Sequence, residues 1–289
     1  MGWRTIVIRK SSKISYKLGY VIIRNEEETF IVADEISVLF LESNQCMITT
    51  ELLNQLIKRN VSVIFCDETH LPNSQLIGLH GNYKSSKNLH MQIEWLQNTK
   101  DKLWKEIIKQ KIINQSKILE KYNFTLQAEM LLRYCCEVQD NDISNREGHA
   151  ASVYFTSIFG KSFNRRDNEN EINKVLNYLY SILLSCFSRV VIEYGYSNQL
   201  GIWHKNEFNF YNLSCDLMEP FRFIIDDYVL TNKFKINQKN ELQKILLCKI
   251  FINKKTETFE NAIKIFTKNC INSLNDNKIS IPNIESYEF

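Results

Sequence analysis

The chain has 289 residues, 44% hydrophobic and 24% charged, with a formal net charge of +3 and a sequence isoelectric point near 8.3. That is the profile of a soluble globular protein long enough for one large domain or two small ones, and its mild basicity permits nucleic-acid binding without requiring it. The N-terminal MGWRTIVIRKSSKISYK has no apolar stretch of signal-peptide kind and no segment approaches the roughly 20 apolar residues of a membrane span, so a cytoplasmic location is the default.

The first quarter reads as β structure. Trp3 to Ile8 is rich in β-branched residues, and Tyr20 to Ile23, Phe30 to Val32 and Ile36 to Leu41 follow, separated by polar stretches such as NEEE. Short apolar runs at this spacing predict a small sheet or sandwich. Thr49 or Thr50 can cap a helix with the apolar face Leu52, Leu53, Leu56 and Ile57, which Asn60 can end. Val61 to Cys66 is a further strand, and DETHLPNSQ is loop. The character changes at GLHGNYKSSK, where two glycines and a serine pair suit a linker. Beyond it helical periods take over. Trp104, Ile108, Ile112 and Leu119 trace one stripe. Lys100 to Lys121 holds seven lysines against three acids, either a solvated helix face or a surface for a phosphate backbone. Helices are predicted over Leu126 to Val138, Asn145 to Phe159, Glu171 to Tyr194, Asp216 to Thr231, Lys239 to Ile252 and Thr256 to Leu274. The last fifteen residues suit a tail or a short added strand. The class is α+β: a β-rich domain over 1–77, a linker over 78–88, and a larger all-α domain over 89–289.

Eight cysteines are present, none in a CxxC pair and most in apolar surroundings. Without an export signal they read as buried thiols, not as disulfides or a zinc site.

The chemistry-bearing residues lie in the second half. Glu147 follows SNR, so with Ser144 or Asn145 as N-cap it falls in a first helical turn, where an ordinary capping glutamate is the plain explanation. His149 points elsewhere on that helix and reads as structural. His204 follows Gly201 and Trp203, where a packed histidine is the plain explanation. Asp216 and Glu219 are three residues apart and share a helical face. Pro220 suits an N-terminal turn, where a missing N–H costs little. Each residue alone has a bland account. Together, three carboxylates and an imidazole make an oxygen-rich site for a hard divalent cation, Mg²⁺ or Mn²⁺, of the kind that phosphodiester chemistry needs. Arg146, Arg165, Arg166, Arg189 and Arg222 could hold phosphates bidentately, Arg146 and Arg222 foremost because they adjoin the proposed ligands.

The blocks SNREGHAASVYFTSIFG, LNYLYSILLSCFSRVVIEYG and GIWHKNEFNFYNLSCDLMEPFR, in that order, resemble the spacer-acquisition integrase of CRISPR systems. GWRTIVI and SVIFCDETHLPNSQL look like its type II form, and the resemblance runs over nearly the whole chain. It implies an N-terminal β-sandwich-like domain for dimerisation and partner contacts, and a C-terminal helical catalytic domain. It implies a metal-dependent DNA endonuclease and integrase in which Glu147, His204 and Glu219 hold one Mg²⁺ or Mn²⁺, with Asp216 a fourth or outer-sphere group. In that setting Arg146, Arg165, Arg166 and Arg222 are the candidates for DNA contact. A 3′-hydroxyl of a short DNA duplex would attack a phosphodiester at the edge of the CRISPR repeat, by transesterification without ATP. The implied partners are double-stranded DNA, a second copy of the chain, and a small ferredoxin-like CRISPR-associated protein in a four-plus-two complex. Type II systems add a DNA-end-binding ring protein and the effector nuclease. Two alternatives stand beside this reading: a plain metal-dependent nuclease that uses water in place of the 3′-hydroxyl, and an idle scaffold that only binds DNA ends. A scaffold has no need of close, mutually repelling carboxylates.

Overall fold

The computed structural model describes residues 2, 4–68, 72–76, 78, 82–167, 169–232 and 245–289. The chain is mixed α+β and divides into two compact units, Met1–Tyr83 and Lys84–Phe289.

In the first unit, β1 (Arg4–Ile8), β5 (Ile36–Leu41), β7 (Ser62–Cys66) and β8 (Pro72–Leu76) form one four-stranded sheet in the order β1-β5-β7-β8. A second runs β4-β3-β2-β6, from Glu28–Val32, Tyr20–Arg24, Ser12–Lys17 and Cys46–Ile48. Strands β2, β6 and β8 are additions to the sequence reading, the last in place of part of a predicted loop. The β2 run SKISYK and the β8 run PNSQL are too polar to announce themselves. The β2–β3 hairpin closes through Leu18 and Gly19, both at positive φ (49° and 87°), the handedness a two-residue hairpin turn demands. One apolar core takes Ile14, Val21 and Ile31 from one sheet, Ile8, Leu39 and Val63 from the other, and Leu52 and Leu56 from helix α1 (Thr50–Lys58). Thr49 caps α1 by accepting the Leu52 N–H at 3.4 Å, and Asn60 ends it at φ 55°.

The second unit holds α2 (Ser85–Ile93), α3 (Gln97–Lys121), α4 (Thr125–Glu137), α5 (Arg146–Phe159), α6 (Glu171–Glu193), α7 (Asn212–Met218), α8 (Arg222–Thr231) and α9 (Phe259–Asn275). It is not all-α. Strands β9 (Lys249–Ile252), β10 (Lys255–Thr258) and β11 (Ile284–Glu288) make an antiparallel sheet in the order β10-β9-β11. The predicted helix over 239–252 fails at its end, where β9 turns through Asn253 and Lys254, both at positive φ (49° and 63°), into β10. Residues 239–244 of that helix lie outside the described residues. The predicted helix over 216–231 starts earlier and is broken by a 3-10 turn at Glu219–Phe221.

Among the described residues α6 is long and apolar enough to cross a membrane, contrary to the sequence reading. Its apolar window is 61% buried inside the protein, and Leu176, Leu179, Leu183, Phe187 and Val190 recur at helical spacing in the core. Helix α3 is the other axis. Trp104, Ile108, Ile112 and Leu119 are buried as the stripe predicts, but so are Lys111, Asn114 and Gln115. All eight cysteines are free thiols, five of them buried and Cys136 exposed.

Candidate active site

Glu147 reaches the site because a tight turn starts α5 just before it. Asn141, Asp142 and Asn145 all have positive φ, at 60°, 47° and 51°. The Asp142 carboxylate accepts the Arg146 N–H at 2.8 Å and the Glu147 N–H at 2.9 Å. Asp142, not the side chain of Ser144 or Asn145, therefore satisfies the first free amides of the helix. Glu147 stands in the first turn with its Oε1 2.5 Å from the Nζ of Lys111 on α3.

Lys111 has a second carboxylate. Glu219 Oε2 lies 2.6 Å from the same Nζ, and Glu219 Oε1 lies 3.2 Å from Arg222 Nε. Lys111 and Glu219 are both buried. Burial disfavours the charged lysine, but Glu147 and Glu219 outweigh it and hold its pKa above the ordinary value. Burial likewise disfavours ionised Glu219, and the Arg222 and Lys111 charges outweigh that and hold it below the ordinary carboxylate range. The Lys111 contact to Glu219 Oε2 is ionic, since that buried oxygen accepts no well-aligned hydrogen bond.

His204 and Asp216 form a second pair, with Nδ1 and Oδ1 2.5 Å apart. Asp216 is fully buried at 0% exposure and also accepts backbone N–H groups from Ile202 (2.6 Å), Trp203 (3.0 Å) and His204 (3.2 Å). Gly201 allows this wrapping. A Cβ there would lie 2.4 Å from the His204 carbonyl oxygen and 2.8 Å from Asp216 Oδ2. Burial opposes the imidazolium, yet the hydrogen bond and charge of Asp216, with Glu219 and Glu147 behind it, raise the His204 pKa. Burial raises Asp216 in turn, against the pull of the imidazole and the amides. The His204 ring stands edge-on to Trp104 (6.0 Å) and Trp203 (4.9 Å), whose indoles stack at 5.1 Å. His204 also lines a cavity of about 670 Å³ with Lys100, Gly201, Phe208 and Phe210.

Glu147, His204 and Glu219 thus share one electrostatic neighbourhood, with Lys111 at its centre. Asp216 and Glu219 do not share a hydrogen-bond or ion-pair partner: Asp216 meets His204 and three backbone amides, and Glu219 meets Lys111 and Arg222. Among the described residues no three His, Cys, Asp or Glu side chains stand as a ready-made metal cluster. The two glutamates face Lys111, and His204 faces Asp216. The donor set fits a hard divalent cation all the same. Two carboxylates converge on one cation-sized point, one buried oxygen lacks a proper hydrogen bond, and Asp216 fixes Nδ1 of the imidazole, which leaves Nε2 as the ring nitrogen for a ligand.

The arginines divide. Arg222 pairs with Glu219 and lies 4.6 Å over the Tyr180 ring. Arg165 lies 5.4 Å over the same ring and donates to Asn173 and Asn177. Arg146 pairs with Glu137 at 2.9 Å and covers Tyr134 at 5.5 Å, and Arg166 is exposed. Arg189 is buried against Glu260 at 3.0 Å and so faces no phosphate. Beneath Arg222, buried Asp226 accepts the hydroxyls of Tyr154 (3.0 Å) and Tyr180. Burial, against those hydroxyls and Arg222, raises the Asp226 pKa to about 6.

The sequence reading missed Lys111, Asp142, Gly201 and Asp226. Lys111 had a signal: it is seven residues after Trp104 and three after Ile108, on the apolar stripe, where a solvated lysine would not sit.

The family described as CRISPR associated protein Cas1 matches residues 5–260. A CRISPR-associated endonuclease Cas1 from Neisseria meningitidis serogroup C (strain 8013) is 34% identical over 227 residues, which is 78% of this chain and 74% of that one. A solved casposase bound to integration product is similar with a TM-score of 0.78 at 18% identity, over 96% of this chain and 92% of that one. A chain of a solved Cas6-RT-Cas1–Cas2 complex is similar with a TM-score of 0.75 at 16% identity, over 95% of this chain and 35% of that longer one.

Proposed function

The chain belongs to the Cas1 family of CRISPR-associated endonucleases and integrases, and from that premise we propose that it is the type II form of the enzyme, inserting short prespacer duplexes into the CRISPR array. The observation that carries the reading is the convergence of Glu147 and Glu219 on one cation position beside a histidine oriented by a buried aspartate.

In this reading Glu147, Glu219 and His204 hold one Mg²⁺ or Mn²⁺ and Asp216 acts from the outer sphere, because its oxygens are already taken by three amides and the imidazole. When bound, the ion supplies positive charge at the phosphate and lowers the cost of deprotonating the attacking hydroxyl. A 3′-hydroxyl of the prespacer attacks phosphorus at the repeat edge. One P–O bond forms as the bond to the leaving 3′-oxygen breaks, so the number of phosphodiesters is unchanged and no ATP is used. Asp216 keeps the His204 ring in one tautomer and one direction through Nδ1. Trp104 and Trp203 hold its edge and limit its rotation. The cavity that His204 lines together with Lys100, Phe208 and Phe210 suits a strand end, by charge and by base stacking. Arg222 keeps Glu219 ionised, and with Arg165 and Arg166 it offers donors to the DNA backbone; Arg146, tied to Glu137, contributes less. The likeness to a Cas1–Cas2 assembly supports a homodimer that joins a small ferredoxin-like protein in a four-plus-two complex. A DNA-end-binding ring protein and the effector nuclease complete the type II set in the cytoplasm.

The test is an integration assay with the full chain, its small partner, a labelled duplex with 3′-hydroxyl ends and a plasmid bearing leader and repeat, in Mn²⁺ or EDTA. Label joined at the repeat boundary, lost in EDTA and in Glu147→Ala, supports the reading. Cleavage without joining replaces it with the plain nuclease, and DNA binding with neither replaces it with the scaffold.

A further inference from the structure

Lys111 is the one buried ammonium in direct contact with both proposed glutamate ligands among the described residues, and the integrase chemistry does not require it. Its Nζ contacts Glu147 Oε1 at 2.5 Å and Glu219 Oε2 at 2.6 Å. Three residues on, on the same face of α3, Asn114 donates from Nδ2 to the Pro220 carbonyl oxygen at 2.8 Å. Helix α3 therefore holds the backbone beside Glu219 and, separately, neutralises its side chain. Lys111 and Arg222 together carry two positive charges against the two carboxylates, so the cluster is already balanced. A divalent ion entering between the same oxygens finds that position filled. It also leaves an excess of positive charge in a buried site unless the ammonium withdraws.

Resting on the metal-site reading above, we propose that Lys111 is a built-in competitor for the divalent cation: it holds Glu147 and Glu219 together in the metal-free protein and leaves those oxygens when the ion enters. Lysine suits the task. Its compact charge rides on a flexible stem, whereas an arginine fork would grip both carboxylates and stay. Lys111 thereby sets metal affinity as a positioning residue, not by touching DNA.

The experiment titrates Mn²⁺ into the full-length chain without DNA, reading the free Mn²⁺ signal by electron paramagnetic resonance. The variants are Lys111→Met, Lys111→Arg, Glu147→Gln and Glu219→Gln. Lys111→Met should bind Mn²⁺ about tenfold more tightly than the native chain, and Lys111→Arg about tenfold more weakly, the range by which groups around a metal site move affinity. Thermal unfolding in EDTA and in Mn²⁺ covers the case in which Lys111→Met folds poorly alone: its melting temperature should fall in EDTA and rise with Mn²⁺ more than the native chain's. Equal or weaker Mn²⁺ binding by Lys111→Met, or unchanged binding by Lys111→Arg, overturns the competitor role while leaving the metal site intact. A native chain that binds no Mn²⁺, or glutamine variants that bind as the native chain does, overturns the metal-site reading and the competitor role with it.

Discussion

Asp216→Asn separates a structural acceptor from a catalytic one by its size. The native carboxylate is fully buried, and its two oxygens face four N–H donors: Ile202 and Trp203 on Oδ2, and the backbone and ring of His204 on Oδ1. Asparagine replaces one oxygen by an NH₂, which points a donor at donors. If the NH₂ faces Ile202 and Trp203, two buried amides are orphaned. If it faces His204, one amide is orphaned and the ring must change tautomer. Each orphaned buried group costs about 1–3 kcal/mol, so a loss of about 2–4 kcal/mol is expected. The assay is urea unfolding followed by tryptophan fluorescence, since Trp95, Trp104 and Trp203 all lie in the second unit. Strand transfer measured on the same variant should fall about 100-fold, because His204 loses its fixed tautomer. A loss below about 1 kcal/mol with a native circular dichroism spectrum refutes the buried four-donor acceptor. The full loss of stability with strand transfer intact refutes the orienting role.

Glu147→Gln should behave in the opposite way, since its side chain is 23% exposed and glutamine keeps an oxygen for Lys111. Stability should stay within about 1 kcal/mol while strand transfer drops about 100-fold or more, with unfolding and integration measured side by side. Gly201→Ala pushes a methyl to 2.4 Å from the His204 carbonyl oxygen, so a destabilisation of about 1–3 kcal/mol and slower integration are expected; a variant as stable and as active as the native chain would remove the close approach from the account. Asp226 titrates in the folded chain at about 6, above its ordinary value of 3.8, so the folded state binds the proton more tightly. Its stabilising contribution is complete at low pH and is lost as pH rises through about 6. The native stability minus that of Asp226→Asn should therefore fall by about 2.4 kcal/mol between pH 4 and pH 7, and a flat difference across that window would show an unshifted carboxyl.

The sequence carried the helices and strands whose apolar period is strong, and it offered the four acidic and imidazole residues as candidates by joint occurrence, of which the structure brings Glu147 to Glu219 through Lys111 and His204 to Asp216. It did not carry what depends on chain direction. Strand β2 is half polar because one of its faces is solvated. Strand β9 was hidden in a helical period until the left-handed pair Asn253 and Lys254 turned it. The sequence offers Ser144 and Asn145 as the cap of α5, while the carboxylate that reaches the amides belongs to Asp142, folded back by a run of positive φ. Lys111 is one of the seven lysines of the segment Lys100 to Lys121, and only its place on the Trp104–Ile108 stripe marks it as buried.

Asp216 and Glu219 are one turn apart yet serve different partners. On a helix, residues three apart project over the same patch, and two buried carboxylates there repel unless each meets its own cation or donors. Residues Glu219–Phe221 continue α7 as a 3-10 turn, with Pro220 supplying no N–H and its carbonyl held by Asn114. Asp216 meets the loop that carries His204, where four N–H donors occupy its two oxygens. Glu219 meets Lys111 of α3 and Arg222. In the proposed metal site that difference divides the labour. Asp216, held by fixed backbone amides, orients the imidazole. Glu219, held by side-chain cations, is the carboxylate able to exchange a partner for an ion.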